Sequence, residues 1–188
     1  MKQLYFRPSN HQTSLIGNVM DTHYQRLYQV RGRLGHRGDA MRIYDQSQRC
    51  LAQIIQTTNG LMPKFQLQID HQTIGTFGVS LYFRELLFIN HLNWVVLVNL
   101  TQQRYHINHV NRTLARARPH TNGLLRISIN DEQFTSVLAL VIIFLDRRQQ
   151  IGLPFSLPRF YFPTQPRHLG LEHFAGPDMH RNDHRGNI

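Results

Sequence analysis

Cysteine is almost absent from this chain: Cys50 stands alone among 188 residues, so no intrachain disulfide framework can form, and the usage suits a reducing compartment. Lysine is nearly as scarce. Of 21 basic residues only Lys2 and Lys64 are lysines, the rest being arginine, and with 11 acidic residues the formal net charge is +10. Arginine's planar fork grips phosphate oxygens in pairs, which an ammonium group cannot do, so the bias points to phosphate-bearing lipid or nucleic acid. Solubility and codon bias account for the same composition. Long apolar runs are missing too. The most apolar stretch, FTSVLALVIIFL from Phe134 to Leu145, falls short of the roughly 20 residues a spanning helix needs. The opening MKQLYFRPSNHQ holds no apolar run of signal-peptide length. The expectation is a cytoplasmic protein without a transmembrane segment.

Catalytic signatures are lacking as well. Gly32, Gly35 and Gly38 in the basic stretch GRLGHRGD invite a phosphate-cradle reading, but no Gly-Lys-Ser/Thr follows and no helix pattern begins there, so a turn between strands is the simpler account. No GxSxG occurs, and one cysteine among 12 histidines does not define a Cys–His pair. The acids fall at turns (Asp45, Asp70), beside the apolar run (Asp131, Glu132, Asp146) or late in the chain (Asp178, Asp183), leaving no pair placed for general acid–base work. His168, His173, His180 and His184 lie in a segment with neither cysteine nor helical pattern, too little for a zinc site. A non-enzymatic protein is expected, with no cofactor and no metal.

What is present is periodicity. Asn130 followed by Gln133 resembles a capping box, and Asp131 and Glu132 at one end with Arg147 and Arg148 at the other complement a helix dipole, so the spacing predicts a helix over about 131–148. Being apolar all round, it must be surrounded by other elements in a water-soluble protein. Upstream, QLYFR, LIGNVMD, YQRLYQVRG, AMRIYD, CLAQIIQT, KFQLQID, TIGTFGVS, ELLFIN, NWVVLVNL, RYHINHV, RTLARARP and LLRISIN read as twelve strands. A weak repeat links RIYDQSQRCLAQI, LQIDHQTIGTF and YHINHVNRTLARA: an Asp or Asn at a turn (Asp45, Asp70, Asn108), then an aliphatic and a small residue (Ala52, Gly75, Ala115). The turn side chains are suited to bonding the turn backbone, and the small residues to close approach by whatever packs inside. Closing twelve strands round the apolar helix removes exposed edges. The predicted fold is mainly β: a twelve-stranded antiparallel closed barrel around a central hydrophobic C-terminal helix, occupying 1–150.

Taken in order, KQLYFRP, VRGRLGHRGDAMRIYD, LMPKFQLQID with HQTIGTF, and DEQFTSVLALVIIFLDR resemble the LURF-one-related family, whose tubby C-terminal-like fold is a twelve-stranded barrel around a hydrophobic helix. The resemblance covers about 1–150. It implies a barrel, distant kinship with phosphoinositide-binding tubby proteins and with phospholipid scramblases, and no catalytic motif. Two features depart from it: the extra basic residues of GRLGHRGD, and the segment 151–188. That segment is rich in proline and histidine. Its proximal part, with Phe155, Leu157, Phe160, Tyr161 and Phe162, is expected to pack on the barrel, the alternatives being a peptide presented to a partner or a segment lying at a membrane surface, and its distal part is expected to be disordered.

Strand alternation in RTLARARP sets Thr113, Ala115 and Ala117 on one face and Arg112, Leu114, Arg116 and Arg118 on the other. The small face suits packing on the helix, so the arginines face out. In LLRISIN the same logic turns Leu125, Ile127 and Ile129 inward and Arg126 outward, beside Arg116 or Arg118 if HTNG closes a hairpin. A second basic cluster, Arg31, Arg33, His36 and Arg37, is expected on a loop. The candidate anion-binding residues are therefore Arg31, Arg33, Arg37, Arg112, Arg116, Arg118 and Arg126. A merely solvated basic face is the simpler account of them. The functional expectation is a module docking on anionic phospholipid headgroups, peripheral at the membrane. The alternative is a nucleic-acid or protein adaptor or scaffold.

Overall fold

The computed structural model describes residues 1–9, 14–60, 62–79, 86–99 and 101–147. The expectations for 151–188 lie outside these. The wall is built from β1 Lys2–Pro8, β2 Leu15–Met20, β3 Arg26–Gly32, β4 Ala40–Tyr44, β5 Cys50–Gln56, β6 Lys64–Ile69, β7 Gln72–Gly78, β8 Leu86–Ile89, β9 Trp94–Asn99, β10 Arg104–His109, β11 Arg112–Pro119 and β12 Leu125–Ile129. The alternation that predicted them also orients them. In β12, Leu125, Ile127 and Ile129 are buried while Arg126 and Ser128 between them face outward, partly exposed.

All pairings are antiparallel, in the order β7-β6-β5-β4-β3-β2-β1-β12-β11-β10-β9-β8. Chain neighbours are sheet neighbours, with one long-range join where β1 meets β12, Lys2 opposite Ile129 and Phe6 opposite Leu125. The two ends of the order, β7 and β8, also come together. Asn90 N donates to Thr76 O at 2.8 Å in an isolated antiparallel bridge. Beside it, a Cβ on Gly75 would lie 2.8 Å from Ile89 Cγ2. Among the described residues this bridge is the one backbone pairing between the last two edges, so the barrel is nearly closed rather than sealed by a full ladder.

The core helix, α1 Thr135–Arg147, is entered through a 3-10 turn, Glu132–Phe134. Its residues Val137 to Leu145 are each no more than 2% exposed, as an all-round apolar helix requires. Phe144 packs edge-on against Phe65 and Phe77, with ring centroids 5.1 and 5.3 Å apart. The entry differs from the expected capping box. Asn130 Nδ2 donates to Thr113 O at 2.9 Å, and Thr135 Oγ1 donates to Glu132 O at 2.7 Å. The 3-10 turn satisfies locally what a cap would have satisfied. No helix among the described residues is long and apolar enough to cross a membrane.

The three-fold repeat is a repeat of β-bulges. Ile43 faces Ala52 and Tyr44 faces Cys50, leaving Leu51 extra; Leu67 faces Gly75 and Gln68 faces Thr73, leaving Ile74; Ile107 faces Ala115 and Asn108 faces Thr113, leaving Leu114. The aliphatic is the bulged residue each time, and the small residue resumes the inner face. Ala52 and Ala115 are buried in the core that holds α1, whereas Gly75 makes room for β8 at the seam. The turn residues behave unequally. Asp45 Oδ1 accepts from Arg49 N at 2.9 Å as expected, but Asn108 Oδ1 accepts from the Thr113 hydroxyl at 2.9 Å and Asp70 adopts φ +46.

Candidate anion-docking surface

None of the twelve strands contains an aspartate or a glutamate. Among the described residues, Asp21, Asp39, Asp45 and Asp70 lie in turns, Asp131 and Glu132 precede α1, and Asp146 lies within it. The outer wall can therefore be neutral or cationic but never anionic, and its two flanks differ in which. On β4–β7 the outward side chains include glutamine amides that bond one another and Arg42. Arg42 Nε donates to Gln53 Oε1 and Gln53 Nε2 to Gln68 Oε1, both at 2.9 Å. On β10–β12 the outward side chains include Arg104, His106, Arg116, Arg118, Arg126 and Ser128.

The register sets these groups side by side. Arg118 is the direct cross-strand partner of Arg126, and Arg116 stands between His106 on β10 and Ser128 on β12. The hairpin that HTNG was expected to close is formed, with Asn122 and Gly123 at φ +58 and +70. Ala115 and Ala117 are buried as predicted. Among the described residues no carboxylate pairs with Arg116, Arg118 or Arg126. Arg116 Nη2 makes only a long bond, 3.4 Å, to Thr113 Oγ1. His106 feels the crowding. Its pKa lies below the ordinary histidine value, first through desolvation and then through Arg116 and Arg104.

Two expectations for β11 need correction, for one reason. The bulge at Leu114 reverses the alternation, so Leu114 is buried at 3% exposure instead of sharing the arginine face. Thr113 takes the outer position and bonds Asn108 and Arg116. Arg112 is displaced to the barrel end, where its Nη2 stands 3.3 Å from Asp131 Oδ2. The outer patch is thus Arg116, Arg118 and Arg126 with Arg104, which the sequence reading missed.

The other basic cluster is rearranged more thoroughly. Arg31 belongs to strand β3 rather than to a loop, opposite Leu15 and Arg42, with its guanidinium 5.7 Å from the Tyr44 ring centroid. Arg33 Nε lies 3.2 Å from Asp39 Oδ1, and Asp39 Oδ2 accepts from His36 N at 3.1 Å. The glycine amides are also engaged: Gly35 N donates to Gln56 Oε1 and Gly38 N to Gln56 O, each at 2.8 Å. A phosphate cradle needs those amides free. A cleft of about 630 Å³ does open here, but its lining includes the Asp39 carboxylate beside Arg33 and Arg42. Of this cluster, Arg31 and Arg37 are exposed without an ion pair among the described residues, Arg31 lying against the Tyr44 ring instead. Nor do the clusters adjoin. From Arg126 the register runs through Tyr5 and Met20 to Arg26, at the opposite end of β3 from Arg31, roughly 17 Å away for five residues of strand.

Beside Arg126 is an aromatic group not anticipated from the sequence. Tyr5, the cross-strand partner of Arg126, packs with Tyr24 and His120 at centroid distances of 5.2 and 5.1 Å, over buried Met20 and Leu124. Tyr24 is half exposed. Elsewhere, Cys50 Sγ sits 3.6 Å from Ala52 O, and burial, the largest influence, raises its pKa, the reverse of what a nucleophilic thiol needs. Among the described residues no three His, Cys, Asp or Glu side chains converge as metal ligands.

No family model matches the chain, and no curated protein matches it significantly. A solved structure of a protein from Arabidopsis thaliana is similar, with a TM-score of 0.53 at 11% identity, covering 79% of this chain and 91% of that one. At that identity the likeness concerns the fold alone.

Proposed function

We propose that this domain is a non-enzymatic module that docks on anionic phospholipid headgroups at the cytoplasmic membrane surface, through the outer face of β10–β12. The observation that carries the reading is the Arg118–Arg126 cross-strand pair, flanked by Arg116 and Arg104 on a wall whose strands hold no carboxylate. Like charges directly opposite one another cost stability. A bound anion removes that cost and engages guanidinium forks suited to phosphate oxygens. Each arginine near an anionic bilayer adds about 1 kcal/mol. The resemblance to the LURF-one-related and tubby-like proteins runs in the same direction and is part of this proposal.

A second reading has one observation in its favour. Tyr24, half exposed and packed at a tilt against Tyr5 beside Arg126, offers a ring on which an unpaired base can stack. Co-sedimentation with neutral and anionic vesicles, and capture on single-stranded nucleic acid, each at low and high salt, separates the two. The lipid reading requires salt-sensitive binding to anionic vesicles and none to neutral ones. Preference for single strands transfers the function to nucleic acid, and binding to neither leaves a protein adaptor.

A further inference from the structure

The strands next to the arginine face carry apolar side chains into solvent. Leu86, Phe88 and Leu97 are 53%, 46% and 45% exposed, and all three lie on the outer faces of β8 and β9, whose inward residues Leu87, Ile89, Val96 and Val98 already belong to the core. Single exposed apolar residues are ordinary on protein surfaces, but these are neighbours. Leu86 is the cross-strand partner of Leu97, Phe88 faces the half-buried Val95, and Leu97 in turn faces His106.

One cross-strand row therefore reads Leu86, Leu97, His106, Arg116, Ser128 across β8 to β12. Over three strand spacings, about 14 Å, it passes from aliphatic to cationic. A protein partner with an apolar face would match only half of it. A second copy of this chain would bring Arg104, Arg116 and Arg118 towards their own equivalents. An anionic bilayer matches the whole row: phosphates meet guanidinium groups whose long stems let the charge stay at headgroup level, while the neighbouring aliphatic and aromatic side chains enter the acyl boundary.

Building on the proposed lipid docking, we infer that the β8–β12 wall lies flat on an anionic bilayer, with Leu86, Phe88 and Leu97 inserted as an apolar edge beside the arginine patch. Electrostatic attraction alone would hold the protein loosely and release it with salt; insertion adds a contribution that salt does not screen. The geometry commits the domain to one orientation, with β4 and its neighbours, across the barrel from β10, facing away.

The test uses the full chain and vesicles of phosphatidylcholine with or without phosphatidylserine, some brominated along the acyl chains. Trp94, buried at 4% exposure, is the native tryptophan. A Phe88→Trp variant is expected to gain a fluorescence component quenched by acyl-chain bromine only on anionic vesicles. Phe88→Ser with Leu97→Ser is expected to weaken vesicle binding tenfold or more at unchanged melting temperature. Salt-sensitive binding with no quenching, and full binding by the double serine variant, would overturn the insertion while leaving the docking function standing. If the wild-type chain ignores anionic vesicles, both fall. A concentration-dependent rise in solution mass that the double variant abolishes would assign the apolar edge to a second copy instead.

Discussion

The hydroxyl of Tyr105 donates to Asp146 Oδ1 at 3.1 Å, tying the first part of β10 to the last turn of the buried helix. Asp146 Oδ2 also stands 2.8 Å from Arg147 Nε, in an ion pair not aligned as a hydrogen bond. The Arg147 guanidinium is 5.5 Å from the centroid of the Phe6 ring. Helix, β1 and β10 thus meet around one nearly buried carboxylate.

That carboxylate makes stability depend on pH. Burial, the largest influence, raises the Asp146 pKa against the opposing pull of Arg147 and Tyr105. A folded-state pKa above the unfolded value means the native state holds a proton that the unfolded chain has released. The contribution is full below the unfolded carboxylate pKa and is lost as pH rises through the folded one. Asp146→Asn, which keeps an acceptor for Tyr105, is expected to lack that decline and to be at least as stable as wild type at neutral pH. Parallel melting curves from pH 4 to 8 check it. A variant markedly less stable at neutral pH would make the Asp146–Arg147 pair a net contributor.

Ile142, fully buried on α1, is the severe test of the architecture. Ile142→Asp sets an unpaired charge inside the barrel, costing several kcal/mol, about the whole stability of an ordinary domain. Val110→Asp, at a turn residue 76% exposed, is the matched control and should leave the melting curve nearly unchanged. A cooperatively folded Ile142→Asp protein would contradict the buried helix.

The close approach of chain segments gives a graded prediction. A Cβ on Gly17 collides with the Arg7 carbonyl oxygen and the Phe6 ring, whereas at Gly75 it meets the Ile89 methyl and, at 3.2 Å, the Asn90 carbonyl. Backbone yields less readily than a side-chain methyl. Gly17→Ala should therefore cost more than Gly75→Ala, both within about 1–3 kcal/mol as overpacking does. Denaturant midpoints of the two variants decide the order.

For the basic wall, Arg116→Gln with Arg118→Gln should reduce binding to anionic vesicles tenfold or more and leave the melting temperature unchanged or higher, since both side chains are exposed and like charges repel. His106 supplies an independent reading. Desolvation first, and then Arg116 and Arg104, hold its pKa down; an anion seated beside Arg116 offsets the arginine part, so its titration should move to higher pH on vesicles. Equal binding by the double variant and an unmoved His106 would return the arginines to a solvated face.

Most of the fold was legible because both periods are strong: alternation places Leu125, Ile127 and Ile129 inside, and the all-apolar run Val137 to Leu145 demands enclosure. The candidate site was legible only in part. Arg118 and Arg126 follow from alternation and a hairpin, but the bulge that buries Leu114 and sends Arg112 to Asp131 breaks the period without any change in composition. In WVVLVN both phases are apolar, so nothing in the string separates buried Val96 from exposed Leu97. Arg33 looked free because its neutralising partner, Asp39, sits across a loop whose path depends on Gln56.

The β1–β12 join sets the order in which the domain can be made. During synthesis the strands β1 to β7 emerge first and can zip as hairpins, yet the inner faces of Leu4, Phe6, Ile43 and Phe65 have nothing to pack on until α1 is translated. β1 likewise waits for β12, across a separation that makes its pairing slow. The nascent wall is therefore an apolar, open-edged sheet for the time of most of its own translation. Exposed apolar surface and unpaired edges of that kind favour aggregation, and folding is completed only when α1, the last of the described elements, arrives.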